Sequence, residues 1–158
     1  MDIVIDTHEL DALAARFAGS GAVIERQMGQ AMTETAIAVQ SRARELAPVD
    51  TGRLRNSIQY EVKPLAAVIR AGSDGVTYAA TMEYGRAPGS AMPPAGSLLG
   101  WMRRHGIDES LEYVIRRNIG RRGIAGRQYM QQALQDTRDN IERYFALAVE
   151  RAARELGG

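Results

Sequence analysis

Ala47-Pro48-Val49-Asp50-Thr51-Gly52-Arg53-Leu54-Arg55-Asn56-Ser57-Ile58 joins two different periodicities, and its reading decides the fold. Before it, Ile24, Met28, Met32, Ala36, Val39, Ala43 and Leu46 recur every three or four residues. That is the spacing of a helix with one apolar face, expected from Gly21 to Leu46. Pro48 ends it, because a proline ring disfavours helical backbone in the residue before it. After the corner, Ser57 to Val62 and Ala67 to Arg70 alternate with period two, as strands do, and Pro64-Leu65 between them fits a hairpin turn. Within the corner, Asp50 or Thr51 can cap the next turn with a side-chain oxygen, and Gly52 allows a backbone angle other residues resist. Leu54 and Ile58 then re-enter the core while Arg53 and Arg55 point out.

Towards the N-terminus, Ile3 and Ile5 alternate, and Thr7 can cap a short helix to about Phe17 with Leu10, Leu13 and Phe17 on one face. Gly19-Ser20-Gly21 breaks it. Towards the C-terminus, Gly72-Ser73-Asp74-Gly75 is a second turn leading to Val76-Thr77-Tyr78-Ala79. Met82-Glu83-Tyr84-Gly85 fits either a strand or a helical turn. Three prolines and three glycines between Gly85 and Gly96 specify an irregular loop. A helix with Leu98, Leu99, Trp101 and Met102 follows, with Trp101 assigned to the core, and stops at Gly106. Asp108 or Ser110 caps a basic helix through Ile119, and Gly120 to Gly126 reads as a flexible hinge. The last helix starts near Arg127. Its apolar stripe is Met130, Leu134, Thr137, Ile141, Phe145, Ala148, Ala152 and Leu156, with Asp139/Arg143 and Glu150/Arg154 as outer pairs. Helix, small antiparallel sheet, then helices is an α+β order, read as one domain over residues 1–158.

Composition narrows the function. With 158 residues, 45% of them hydrophobic and 25% charged, the chain can bury a real core. No apolar run approaches the roughly 20 residues that cross a bilayer. Acids rather than basic residues begin the chain, so a cytoplasmic site of synthesis and assembly is expected. Cysteine is absent, which excludes disulfides, thiolate metal sites and a cysteine nucleophile. The formal net charge is only +1, yet Arg103 to Arg127 holds seven arginines against Asp108, Glu109 and Glu112, a local +4.

Chemistry-bearing patterns are few. Asp50-Thr51-Gly52 is the triplet of retroviral-type aspartic proteases, which place two such aspartates in contact so that they share one proton. Pro48 before it, Arg53 after it and helical flanks argue against that use. His8 and His105 lack metal-site spacing with carboxylates. Gly120, Gly123 and Gly126 lack the Lys-Ser/Thr of a phosphate loop. No catalytic, metal or cofactor residue is assigned. The basic segment could track phosphates, which keeps a DNA-binding accessory protein as the rival class, without sequence-specific readout.

The corner motif, followed by Tyr78-Ala79-Ala80-Thr81-Met82-Glu83-Tyr84-Gly85 ahead of a Pro/Gly loop, resembles the small tail-completion, or neck, proteins of long-tailed bacteriophages. There a helix ends in Ala-Pro-x-Asp-Thr-Gly-x-Leu-x-x-Ser-Ile, and a Tyr-Ala-x-x-x-Glu-x-Gly segment follows the hairpin. The resemblance spans about Thr33 to Leu134. Where that family has an apolar trio such as Pro-Phe-Leu, this chain has Gln128-Tyr129-Met130. It implies a non-enzymatic virion protein forming a ring, typically hexameric, at the phage neck. Its partners would be a tail terminator or tail tube protein and a head-closure or portal-side connector protein. A tail terminator or head-closure ring is the near alternative. The interface candidates are Arg53, Arg55, Glu83, Arg86, Met92, Arg121, Arg122 and Arg127. For Glu83 the two readings are an exposed charge on a strand and a partner for a neighbour's arginine. The 85–96 loop is expected to be mobile alone and ordered in the assembly.

Overall fold

A computed structural model describes residues 2–6, 20–64, 66–73 and 75–157. The expected Thr7–Phe17 helix, His8, Leu65 and Asp74 lie outside the described residues. The fold is α+β. Its spine is an antiparallel pair of long helices, α1 (Gly21–Leu46) and a C-terminal helix, α6 (Tyr129–Gly157). Near one end Val39 and Ala43 share a cluster with Met130 and Ala133; near the other, Ile24, Met28 and Ala31 meet Ala148 and Ala152. Alanines at these positions let the two backbones approach, so the longer side chains interleave beside them. Arg42 with Asp136 and Arg26 with Glu155 fix the same register from outside.

Strand β1 (Asp2–Asp6), β2 (Gln59–Lys63) and β3 (Ala66–Arg70) form a sheet of order β1-β3-β2, antiparallel throughout. The hairpin lies where the alternation placed it, with Lys63 paired to Ala66 across the turn. The strand begins two residues later than the alternation suggested, because Arg53–Asn56 is a short helix, α2, that carries the chain round the corner. Ala67 and Ile69 of β3 are fully buried. Ala67 packs with Met32 and Ala36 of α1, and Ile69 with Val39.

The corner itself is tied together from inside. α1 stops at Ala47, whose backbone is already extended ahead of Pro48. Gly52 takes φ 78°, and Leu54 and Ile58 are buried. The Ile58 carbonyl accepts from Gln40 Nε2 at 2.9 Å and Arg44 Nη2 at 2.7 Å. Ser57 Oγ donates to the Leu54 carbonyl and accepts from the Gly72 amide, which fixes the corner to the end of β3. Neither Asp50 nor Thr51 caps α2; Gly52 occupies the cap position without a side-chain bond.

Beyond the sheet, Ala79–Tyr84 is a short helix, α3, which resolves the strand-or-helix alternative. Gly85–Arg86 is a two-residue strand, β4. Leu99–Arg104 is α4, a 3-10 turn at Glu109–Leu111 follows with Asp108 Oδ1 accepting from the Ser110 amide, and Glu112–Arg122 is α5. Ile124–Ala125 is β5, antiparallel to β4. The 120–126 segment is therefore not a hinge. Gly120 is buried within α5 against Met92 and Ser90, and Gly123 and Gly126 sit where two backbones cross. On the outer face of α6, Glu150 and Arg154 pair at 3.5 Å. Arg143 donates to Asn140 instead of pairing with Asp139, and Arg138 pairs with Glu142.

Candidate interaction surface

Residues 87–123 form a lobe attached to the end of the spine where α1 finishes and α6 begins. β4 and β5 supply one attachment. Here a Cβ on Gly85 would meet the Ile124 carbonyl oxygen at 2.3 Å, and one on Gly123 the Arg86 carbonyl oxygen at 2.2 Å. The second attachment is Asp50, whose carboxylate receives Nε of Arg104 at 3.0 Å and also Nη2, a forked pair. The Arg104 hydrogen bonds hold the Asp50 carboxyl below its ordinary range. The aspartate of the Asp-Thr-Gly triplet thus faces a guanidinium.

Glu83 is neither an exposed charge nor available to a neighbour. It is 1% exposed, and its two carboxylate oxygens accept the Met130 and Gln131 amides at 2.9 and 3.1 Å. The carboxylate therefore serves as the N-terminal cap of α6, where unpaired amides and the helix dipole both favour a negative charge. The Glu83 and Met82 carbonyls take the Gln128 and Arg127 amides as well. Sequence offered one signal for this role. No Ser, Thr, Asp or Asn stands directly before Tyr129, so a 29-residue helix must find its cap elsewhere in the chain. Tyr129 and Met130 of the Gln-Tyr-Met trio are buried. Burial, with the Glu83 charge behind it, pushes the Tyr129 hydroxyl up to about 12.

The other candidates are scattered. Arg55 is exposed but donates to the Arg44 carbonyl at the end of α1, and Arg53 is exposed beside Gly75. Arg86 is half-buried and binds the Ala91 carbonyl at 2.6 Å. The 85–96 loop is irregular but docked on its own lobe. Its Gly89 amide bonds the Gly120 carbonyl, its Gly96 amide reaches Glu112, and its Pro93 carbonyl takes Arg116 Nε. Met92 remains 42% exposed at the rim. Trp101 is not in the core; it is exposed on α4, stacked at 4.7 Å on His105.

What the lobe turns outward is basic and partly apolar. Arg121, Arg122 and Arg127 are exposed, and so are Tyr113, Val114 and Arg117, which the sequence reading did not single out. Tyr113, Arg117 and Arg121 succeed each other every four residues, one stripe along α5. Among the described residues, Arg26, Arg42, Arg70, Arg103, Arg104, Arg116, Arg138 and Arg154 each pair with a carboxylate of the chain. Among the described residues, no carboxylate lies within ion-pair distance of Arg117, Arg121, Arg122 or Arg127. Nor does any group of three or more His, Asp or Glu among them form a metal cluster, and no described helix is long and apolar enough to cross a membrane.

The Asp50 attachment gives a direct test. Its contribution is complete above the ordinary aspartate range and is lost as pH falls below that range, because the paired carboxyl protonates only at a lower pH than a free one. Trp101, the single tryptophan, lies three residues from Arg104. An acid step in its emission is expected below about pH 4 in the wild type and absent in Asp50→Asn. Identical acid profiles would remove the pair as a lobe attachment.

A family model described as "HK97-gp10_like: Bacteriophage HK97-gp10, putative tail-component" matches residues 11–85. No curated protein and no solved structure matches the chain. The matched stretch takes in α1, the corner, the hairpin and Glu83, and it ends at Gly85, where the lobe begins. Over residues 11–85, just under half of its length, this chain is similar to the HK97-gp10-like family, whose model is described as a putative tail-component of a bacteriophage.

Proposed function

We propose that the chain is a single-domain, non-enzymatic virion protein that packs into a ring at the phage neck and joins the completed tail to the DNA-filled head. The observation that carries this reading is the family-model match over the helix, corner and hairpin, combined with a lobe whose outer arginines meet no carboxylate among the described residues. The ring would be a homo-oligomer, hexameric by the resemblance drawn above. It would meet a tail terminator or tail tube protein on one side and a head-closure or portal-side connector on the other, in a virion assembled in the host cytoplasm. A terminator or head-closure role would use the same surfaces. Native mass spectrometry of purified necks or tails should show a closed oligomer of this chain; a monomeric copy in the virion would defeat the reading.

Arginine forks bind carboxylates as readily as phosphates. Replacing Arg121 and Arg122 by Gln should lower head–tail joining at least several-fold and leave the salt-dependent retention of duplex DNA unchanged. Normal joining with lost DNA retention would favour the DNA-binding accessory class.

A further inference from the structure

We propose that the outward face of α5, from Tyr113 to Arg122, is the seat of a helix from a different protein, docked antiparallel and carrying its carboxylates in its first two turns. This deepens the neck reading, on which it rests, by naming the chemistry of the contact with another virion protein.

α5 divides its charges by face. At about 100° per residue, Tyr113, Arg117, Arg121 and Val114 fall within one arc of about 100°. Tyr113 and Val114 are 58% and 52% exposed, and both arginines are exposed. The other face is spent within the lobe. Glu112 lies 3.7 Å from Arg116 and takes the Gly96 amide, Arg116 donates to the Pro93 carbonyl, and Ile115 and Ile119 are half-buried. The acid of α5 is therefore engaged away from Arg117, Arg121 and Arg122, and no carboxylate among the described residues reaches these three. Arg121 and Arg122 suit the carbonyl end of their own helix, because they stand in its last turn. Arg117 has no such reason. It sits mid-helix, one turn from Arg121, a like-charge spacing that weakens the helix until an anion relieves it.

The order of side chains along the face defines the occupant. Tyr113 and Val114 come first, and Arg117 and Arg121 follow about 6 and 12 Å beyond Tyr113. A helix laid antiparallel sets its N-terminal turns over Arg121 and Arg117 and its third turn over Tyr113 and Val114. Carboxylates in those first turns are favoured by the helix's own dipole as well as by the arginines. An apolar third turn covers side chains that a row of phosphates would leave wet. Arginine beside an exposed aromatic is also the composition from which protein contacts draw most of their affinity. A second copy offers no such helix among its described residues. None of α1, α2, α3, α4 and α6 has an acid in its first turn, and α5, which does, is the seat itself.

The probe is a synthetic peptide of about 18 residues, long enough to stay helical. It carries two Glu one turn apart near its N-terminus and two Leu in its third turn, on an Ala/Gln background. Fluorescence anisotropy should show it binding the full chain about tenfold more tightly than the isomer with the Leu pair first and the Glu pair last. Arg117→Gln with Arg121→Gln should weaken that binding about tenfold, and the corresponding Glu pair should remove it. Val114→Ser should weaken it several-fold. Arg151→Glu, at an exposed α6 arginine that also meets no carboxylate among the described residues, should leave it unchanged. Equal binding of the two isomers, or equal loss in Arg151→Glu, would reduce the face to undirected charge and overturn the inference. Tighter binding of a duplex of about 20 base pairs, lost in the same double variants, would make nucleic acid the occupant. Loss of the ring from native mass spectra of the Gln pair would make a second copy the occupant. Rings that persist without directed peptide binding would overturn the contact and leave the neck reading standing. Directed binding by a chain that forms no ring would uphold the contact and end the ring reading.

Discussion

Gly85→Ala and Gly123→Ala should each cost about 3 kcal/mol or more, making them among the most damaging single-methyl changes available in this chain. Both glycines combine a positive φ (80° and 73°) with ψ near 180° (−165° and −166°). That backbone region is open almost to glycine alone, and a side chain forced there costs on the order of 1–3 kcal/mol. The added Cβ would also lie 2.3 or 2.2 Å from the facing carbonyl oxygen, well inside contact distance. Separating two backbones by that much adds about 1–3 kcal/mol of overpacking. Gly29→Ala is the control, since nothing lies within 4 Å of its Cβ position inside α1, and it should stabilise by about 0.5–1 kcal/mol. Urea denaturation separates the cases. At roughly 1–3 kcal/mol per molar, the midpoints of the first two variants should fall by a molar or more. An unchanged midpoint for Gly85→Ala would show that the β4–β5 crossing is not close-packed.

Glu83→Ala should be comparably harmful, by about 3 kcal/mol. It leaves the Met130 and Gln131 amides without their acceptors in a site that is almost wholly buried. Unsatisfied buried donors cost about 1–3 kcal/mol, and the lost charge at a helix N-terminus up to about 2 kcal/mol. Glu83→Gln keeps the volume and one acceptor oxygen but turns an NH2 towards a backbone amide, so its loss should be smaller, about 2 kcal/mol. Tyr84→Ala, one residue along and 70% exposed, should change stability by less than about 0.5 kcal/mol. Helical circular dichroism during denaturation tests the order. A Glu83→Ala protein as stable as Tyr84→Ala would mean that α6 is capped by other groups.

These effects explain the conspicuous spacing in Tyr78-Ala79-Ala80-Thr81-Met82-Glu83-Tyr84-Gly85. One turn of α3 places the Glu83 carboxylate under the first amides of α6, and Gly85 then admits the returning β5. Both roles are internal to the fold, although the surface reading had offered Glu83 to a neighbouring subunit. Beyond the family match lie Arg117, Arg121 and Arg122, which meet no carboxylate among the described residues, beside exposed Tyr113 and Val114.

Local periodicity alone determined a great deal here. Ile24 to Leu46 specified α1 from Gly21 to Leu46, the stripe from Met130 to Leu156 specified α6, and the two alternating runs specified the hairpin. Pro48 and Gly52 specified the corner because their backbone restrictions act within one residue. Other features depended on groups far apart in sequence. Glu83 meets α6 at a separation of 47 residues and Asp50 meets Arg104 at 54, so no local pattern could announce either pairing. Trp101 read as core because it is large and apolar, yet the short α4 buries Met102 and leaves Trp101 exposed. Gly120 to Gly126 read as a hinge because glycine permits both freedom and close approach, and only the strand crossing over it selects between them. Composition makes backbone freedom available; tertiary contact decides whether it becomes motion or close packing.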